Sequence, residues 1–112
     1  MTVKRVSQHH RPVPATERNE LIQGIMRDLL NSNITQGQAL RRLRREGFGT
    51  KQADYAKLVG VSRSTITDIE NDRSNYKTEV LNKVFRPAGL KVGLIPIQQN
   101  LVEHLFKGQS DA

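Results

Sequence analysis

The chain has 112 residues and no cysteine, and its 18 Lys and Arg residues against 11 Asp and Glu residues give a formal net charge of +7. This length suits one compact domain with short appendages, and the absence of cysteine excludes disulfides, thiolate zinc sites and cysteine nucleophiles. The surplus of positive charge indicates an anionic partner, and on charge alone nucleic acid and acidic membrane are both candidates.

Positive charge is concentrated in two segments of the chain. Residues 1–14 contain three basic residues and no acidic residue, and residues 41–51 contain five basic residues and one acidic residue. The first segment is predicted to be a flexible arm, because Pro12 and Pro14 block helix formation. It is either a disordered terminus or a basic arm that touches DNA in the minor groove, as in some small DNA-binding domains.

Signals for targeting and for catalysis are both missing from the sequence. No apolar run follows the charges of the arm, so a secretory signal is not predicted, and no stretch approaches the roughly 18 apolar residues that span a bilayer. The His residues lack metal-ligand spacing, and no glycine-rich phosphate loop follows a strand. We therefore expect a soluble, cytoplasmic protein without a metal, a cofactor or enzymatic activity.

Residues 15–89 are predicted to form a helical domain. Its first helix runs from about Thr16, which suits the N-cap, to Asn31. Six apolar residues at helical spacing form one stripe, which packs either on the rest of the chain or on a second copy. These residues are Leu21, Ile22, Ile25, Met26, Leu29 and Leu30.

A second helix is predicted to begin at Thr35, which forms a capping box with Gln38. Its inward residues are Ala39, Leu40 and Leu43, and its arginines are Arg41, Arg42, Arg44 and Arg45. Cations suit the C-terminus of a helix, so these arginines either stabilise the helix dipole in solvent or contact phosphates. Gly47 and Gly49 are predicted to end the helix.

Residues 52–71 carry the most informative local pattern. One helix is predicted over 51–59 and another over 63–71, with Gly60 and the N-cap Ser62 between them. Two helices joined by so short a turn form a helix-turn-helix unit, and Gly60 can take the left-handed conformation that ends the first helix. The residues predicted to pack inward are Ala56, Ile66, Ile69 and either Leu58 or Val59.

The outward face of the second of these helices is predicted to consist of Arg63, Ser64 and Thr67, with Asp68 as a further candidate. Short polar groups with one arginine can meet base edges in a DNA major groove without steric conflict. The segment K-Q-A-D-Y-A-K-L-V-G-V-S-R-S-T-I-T-D-I-E-N-D over residues 51–72 resembles the lambda-repressor-like (Xre) helix-turn-helix family. The matching residues are Gln52, Ala56, Gly60, Val61, Ser62, Ile66 and Glu70. The departures are Lys51 for a Thr cap, Tyr55 for Leu and Asp72 for a common Gly.

This resemblance, which covers about residues 35–90, implies binding to duplex DNA. The predicted base contacts are Gln52, Arg63, Ser64 and Thr67. The predicted phosphate contacts are Arg41, Arg44, Arg45, Lys51, Thr65, Asn71 and Arg73, of which the resemblance gives the last two. Glu70 is assigned a structural role, because an acid near phosphates would repel them.

Residues 90–112 are predicted to form a tail for dimerisation or partner binding. A helix capped by Thr78 precedes the tail and is stopped or kinked by Pro87. Alternation of apolar residues over 90–95 predicts a strand. Because no second strand is convincing, this strand is predicted to pair with its copy in a homodimer. The residues assigned to dimerisation are Leu90, Val92 and Leu94.

The tail A-G-L-K-V-G-L-I-P resembles that of the HipB-like subgroup, in which such strands join the dimer and several members are antitoxins that repress their own operon. Residues 97–106 follow at helical spacing, as a short helix that packs on its own dimer or docks a partner such as a toxin.

The prediction is a mostly α-helical, lambda-repressor-like bundle of five or six helices with one short C-terminal β-strand paired across a dimer. We expect a sequence-specific DNA-binding transcription regulator, a dimeric repressor or autorepressor. One alternative is an antitoxin that binds both a toxin and its operator. The other is a protein-interaction adaptor that uses this fold without DNA.

Overall fold

Six α-helices are present in the computed structural model, which describes residues 14–73 and 75–111. They are α1 (Ala15–Leu30), α2 (Gln36–Arg42), α3 (Gln52–Val59), α4 (Arg63–Glu70), α5 (Thr78–Phe85) and α6 (Gln99–Asp111). A π-helical turn, Leu43–Gly47, continues α2, and a 3-10 turn, Arg86–Ala88, continues α5. The mostly α-helical class is therefore confirmed. The predicted basic arm lies outside the described residues, apart from Pro14.

The helix caps were predicted with mixed success. Thr35 accepts a hydrogen bond from the backbone N–H of Gln38, whose side chain accepts from the N–H of Thr35, so the capping box is confirmed. Thr16 is not an N-cap, because α1 begins at Ala15 and its N-cap position is that of Pro14. Thr78 is likewise the first residue of α5, and the N-cap position is that of Lys77, whose side chain makes no capping bond.

The core is formed by all of the first five helices. Its buried members are Ile22, Ile25, Ala39, Leu40, Leu43, Tyr55, Ala56, Ile66, Ile69, Val84, Phe85 and Ala88. The stripe of α1 thus packs on its own domain, with Leu21, Met26 and Leu29 partly buried against the core. Of the two alternatives at the end of α3, Val59 packs inward while Leu58 is exposed.

The turn between α3 and α4 has the predicted geometry. Gly60 ends α3 in the left-handed region at φ 78°, and the Ser62 side chain accepts from the backbone N–H of Thr65 to cap α4. Ala56 is buried in the core together with Ile66 and Ile69 of α4. Tyr55 is also buried and donates its hydroxyl to the Val84 carbonyl at 2.6 Å. That bond ties α3 to α5.

The predicted strand over 90–95 is not formed, and the described residues contain no strand. The backbone N–H of Leu90 donates to the Phe85 carbonyl, and that of Val92 donates to Asn82 Oδ1 at 2.8 Å. Two donors of this segment are therefore bound to α5 instead of a β-ladder. The alternation of apolar residues was therefore not sufficient to predict a strand. Leu94, one of those apolar residues, is fully exposed.

The terminal helix is longer than predicted and begins later. Ile97 lies before α6 and is fully exposed, while Val102 within α6 is buried. None of the described helices combines the length and the apolar character that crossing a membrane requires.

Candidate nucleic-acid interface

The beginning of α4 presents short polar side chains on its outward face. Arg63 and Ser64 are exposed, and Thr67 is half-buried. The Ser62 hydroxyl lies 3.0 Å from the Ser64 hydroxyl and 2.9 Å from that of Thr65. These bonds tie together side chains of the first turn of α4, where the face that is predicted to read bases begins.

Gln52 joins the first turn of α3 to the middle of α4. Its Oε1 accepts a hydrogen bond from the Thr67 hydroxyl at 2.9 Å, and its Nε2 donates to Glu70 Oε1 at 3.1 Å. An amide offers a donor at one end and an acceptor at the other, so these two partners determine which way the Gln52 side chain points. Two predicted base contacts, Gln52 and Thr67, are therefore held together in one hydrogen-bonded unit.

Beneath this unit lies a buried ion pair between Arg44 and Glu70. Arg44 Nε and Nη2 donate to the two carboxylate oxygens of Glu70 at 2.6 and 3.0 Å, and Nη1 donates to the Thr50 carbonyl at 2.8 Å. Burial alone would raise the pKa of Glu70, but hydrogen bonds from Arg44 and Gln52, with the charges of Arg44 and Arg41, outweigh it and hold the pKa below its ordinary value. The structural role predicted for Glu70 is confirmed.

Arg44 itself does not suit the phosphate contact predicted for it. The residue is 8% exposed, and its guanidinium is bound to Glu70 and to the backbone of Thr50. It follows Leu43 on the side of the π-helical turn that faces α4. Arg44 therefore supports the interface from inside the domain.

Arg41 and Asn71 form an exposed pair at the end of α4. Arg41 Nη2 donates to Asn71 Oδ1 at 3.3 Å, and its Nε lies 3.6 Å from Glu70 Oε1. Asn71 in turn donates from Nδ2 to the Thr67 carbonyl at 2.9 Å. Two predicted phosphate contacts thus adjoin the Gln52 and Thr67 unit.

The other predicted phosphate contacts are spread over the neighbouring elements. Arg45 is exposed on the π-helical turn, Lys51 is exposed at the N-cap of α3, and Arg73 is exposed after α4. Thr65 is half-buried in the first turn of α4, with its hydroxyl bound to Ser62. No contact in the structure brings these four residues together.

Sequence reasoning missed the role of Asp72. This residue, which stands where the family commonly has Gly, has a positive φ of 54°. Its carboxylate accepts hydrogen bonds from the Thr35 hydroxyl and the Gly37 backbone N–H. The departure from Gly was the available signal, because a non-Gly residue at such a position needs a local reason.

In a comparison with protein families, residues 40–93 match a family model described as helix-turn-helix. The matched range contains α3, the turn and α4, together with the whole of the Gln52, Thr67 and Glu70 unit. Comparison with curated proteins and with solved structures gives no match. The geometry of α3, the turn at Gly60 and α4 agrees with this similarity to helix-turn-helix domains.

Proposed function

We propose that this protein is a sequence-specific duplex-DNA-binding transcription regulator that acts as a dimeric repressor of transcription. The observation that carries the proposal is the fixed surface of α4, in which Thr67 is bound to Gln52 while Arg63 and Ser64 stand exposed beside it. A helix placed in the major groove reads sequence only when its side chains are held at defined positions, which this hydrogen-bonded unit provides.

Base reading and phosphate binding are assigned to different residues. The proposed base contacts are Gln52, Arg63, Ser64 and Thr67. The proposed phosphate contacts are Arg41, Arg45, Lys51, Thr65, Asn71 and Arg73. Arg44 leaves the predicted set because its charge is already paired with Glu70 inside the domain. Phosphate contacts supply affinity without sequence preference, so the two groups should respond differently to mutation.

A second copy of the chain is the proposed partner of the C-terminal tail. Leu94 and Ile97 are fully exposed, and their sequence neighbours Gly93 and Ile95 line a groove of about 540 Å³. Its apolar lining includes Met26, Leu29, Ile34, Phe85, Leu90 and Val92. The groove and the exposed residues belong to the same chain, so a two-fold arrangement can satisfy both at once. A two-fold dimer presents two α4 helices to an inverted-repeat operator.

An antitoxin would differ from a simple repressor by binding one further partner, a toxin. Leu101 and Leu105 of α6 are exposed, which suits a helix that docks on another protein. This variant of the proposal keeps DNA binding and dimerisation and adds a toxin. The chain is purified after expression with and without the product of an adjacent toxin-sized gene. Co-purification of that product distinguishes an antitoxin from a simple repressor.

The proposed function is tested by selection from a random duplex library with the wild-type chain, followed by affinity measurements. The selected duplex and a scrambled duplex are titrated by fluorescence anisotropy at 50 and 200 mM salt. We expect a clear preference for the selected duplex and a fall in affinity with salt, at a log–log slope of about 0.9 per phosphate contact. Affinity that is absent, or indifferent to salt, would favour the adaptor function instead.

A further inference from the structure

The end of α4 is tied to the beginning of α2 by one side chain. Asp72 follows Asn71, the C-cap of α4, and its Oδ2 accepts from the Thr35 hydroxyl at 2.7 Å. Its Oδ1 accepts from the Gly37 backbone N–H at 3.1 Å. The Thr35 hydroxyl also accepts from the Gln38 backbone N–H. It therefore uses its single proton for Asp72 and a lone pair for the capping box.

Gly37 allows the two elements to approach this closely. A Cβ atom on Gly37 would lie 2.4 Å from the Ile69 carbonyl oxygen and 2.8 Å from that of Glu70. Both oxygens belong to the last turn of α4, so this backbone contact leaves no room for a side chain. The carboxylate of Asp72 closes the same junction, 2.7 Å from that hypothetical Cβ.

The backbone conformation at position 72 is one that glycine adopts more readily than aspartate. At φ 54° an L side chain is strained, and glycine is free of this strain. Backbone preference alone therefore selects Gly here. The hydrogen bonds to Thr35 and Gly37 offset the strain, because an ionised acceptor makes stronger hydrogen bonds than a neutral one.

The charge of Asp72 is also unfavourable beside DNA, since its neighbours Asn71 and Arg73 are proposed phosphate contacts. The bonds to Thr35 and Gly37 direct the carboxylate toward α2. A negative charge is thus tolerated at this position because it is bound within the domain, where it holds the end of α4 in place.

We propose that Asp72 is a positioning residue for DNA recognition, which fixes the angle of α4 against α2 and so the placement of Arg63 and Thr67. This inference rests on the proposed function. If Asp72 served folding alone, the ratio of affinities would not follow the loss of its hydrogen bonds. Asp72→Gly separates the two roles, because it relieves the backbone strain while it removes both hydrogen bonds.

The test compares wild type, Asp72→Gly and Asp72→Asn on the selected duplex and on a scrambled duplex. The readout is the ratio of the two affinities, which cancels the change in net charge because both duplexes experience it. We expect Asp72→Gly to lower the ratio about three- to tenfold, because the end of α4 loses both of the hydrogen bonds that hold it to α2. Asp72→Asn, whose amide can still accept from Gly37, should stay within about twofold of wild type.

Amide hydrogen exchange of Gly37 gives a second readout that does not involve DNA. Exchange should be faster in Asp72→Gly than in wild type, and Asp72→Asn should restore most of the protection. Unchanged exchange in Asp72→Gly, or an undiminished affinity ratio, overturns the role of Asp72. A wild-type chain that prefers no duplex contradicts the proposed function itself, and the positioning role with it.

Discussion

Arg44 and Glu70 face each other through two parallel hydrogen bonds in the interior of the domain, between the π-helical turn and α4. The side chain of Glu70 is fully buried, so its charge depends on partners within the chain. An ion pair of this kind adds little over a well-packed apolar pair, yet removal of one partner leaves the other charge buried and uncompensated. The pair therefore ties α4 to the π-helical turn that follows α2.

Arg44→Ala should destabilise the fold strongly. We expect a loss of about 3–5 kcal/mol in the free energy of unfolding, because Glu70 keeps its buried charge without its main partner. Urea denaturation followed by circular dichroism measures this loss. Arg45→Ala is the matched control, since Arg45 is exposed on the same turn and should change stability by no more than about 0.5 kcal/mol. Equal stability of the two variants would contradict the buried pair.

Stability should fall in acid through Glu70. Its pKa in the folded chain lies below the ordinary value of 4.5, so the ionised form favours folding. That contribution is fully present above pH 4.5 and is lost as the pH falls through the lowered pKa. Urea unfolding between pH 3 and pH 7 measures it.

The control for this acid effect is Glu70→Gln, which should be less stable at neutral pH and show a shallower fall in acid. Asp28 remains in that variant, and a hydrogen bond from Arg42 lowers its pKa, so some acid dependence persists. An unchanged slope in Glu70→Gln would show that other carboxylates cause the whole effect.

Arg63→Ala should relax the sequence preference at one base pair. A bidentate contact from arginine to guanine contributes about 1–3 kcal/mol of discrimination, and that energy is lost with the guanidinium. Affinities for single-base variants of the selected duplex measure the change. The control is Lys51→Ala, which should weaken binding to all duplexes alike and reduce the salt slope by about 0.9. An equal loss on selected and scrambled DNA in Arg63→Ala would assign Arg63 to the phosphate contacts.

Leu94→Asp should convert a dimer to a monomer without loss of folding. Leu94 is fully exposed in the single chain, so a charge there costs nothing in the monomer but is unfavourable in an apolar interface. Light scattering gives the molar mass, and thermal unfolding checks the fold. Leu58→Asp, at an exposed leucine of α3, is the control. A monomeric wild type would refute the dimer, and a dimer that tolerates Leu94→Asp would have its interface elsewhere.

Much of the fold around the turn could be predicted from the sequence, because local chemistry determines it. Gly60 and Ser62 define the turn between α3 and α4, and Thr35 with Gln38 defines the start of α2. The tail could not be predicted in this way. Its alternating pattern suited a strand, but the pairing of Val92 with Asn82 depends on a tertiary contact that periodicity does not contain.

The spacing of residues in the sequence indicates that Arg44 is buried, but the count of clustered charges does not take that spacing into account. Arg44 lies four residues after Leu40 and one after Leu43, and Glu70 lies four after Ile66 and one after Ile69. Each therefore continues a buried stripe of its helix, and opposite charges on two such stripes predict an ion pair. The count of clustered arginines treated exposed and buried members alike, so it assigned Arg44 to DNA.

The hydrogen bond between Thr67 and Gln52 also bears on how such a domain can be given a new target sequence. Arg63 can be randomised in a combinatorial library without loss of the Gln52–Thr67 bond, whereas a change at Ser64 removes its contact with the Ser62 hydroxyl. A change at Thr67 leaves the Gln52 amide without its donor, and Gln52 in turn contacts Glu70, so the disturbance reaches the buried charge. Retargeting should therefore vary Thr67 and Gln52 as a pair, and evolutionary changes in specificity should face the same constraint.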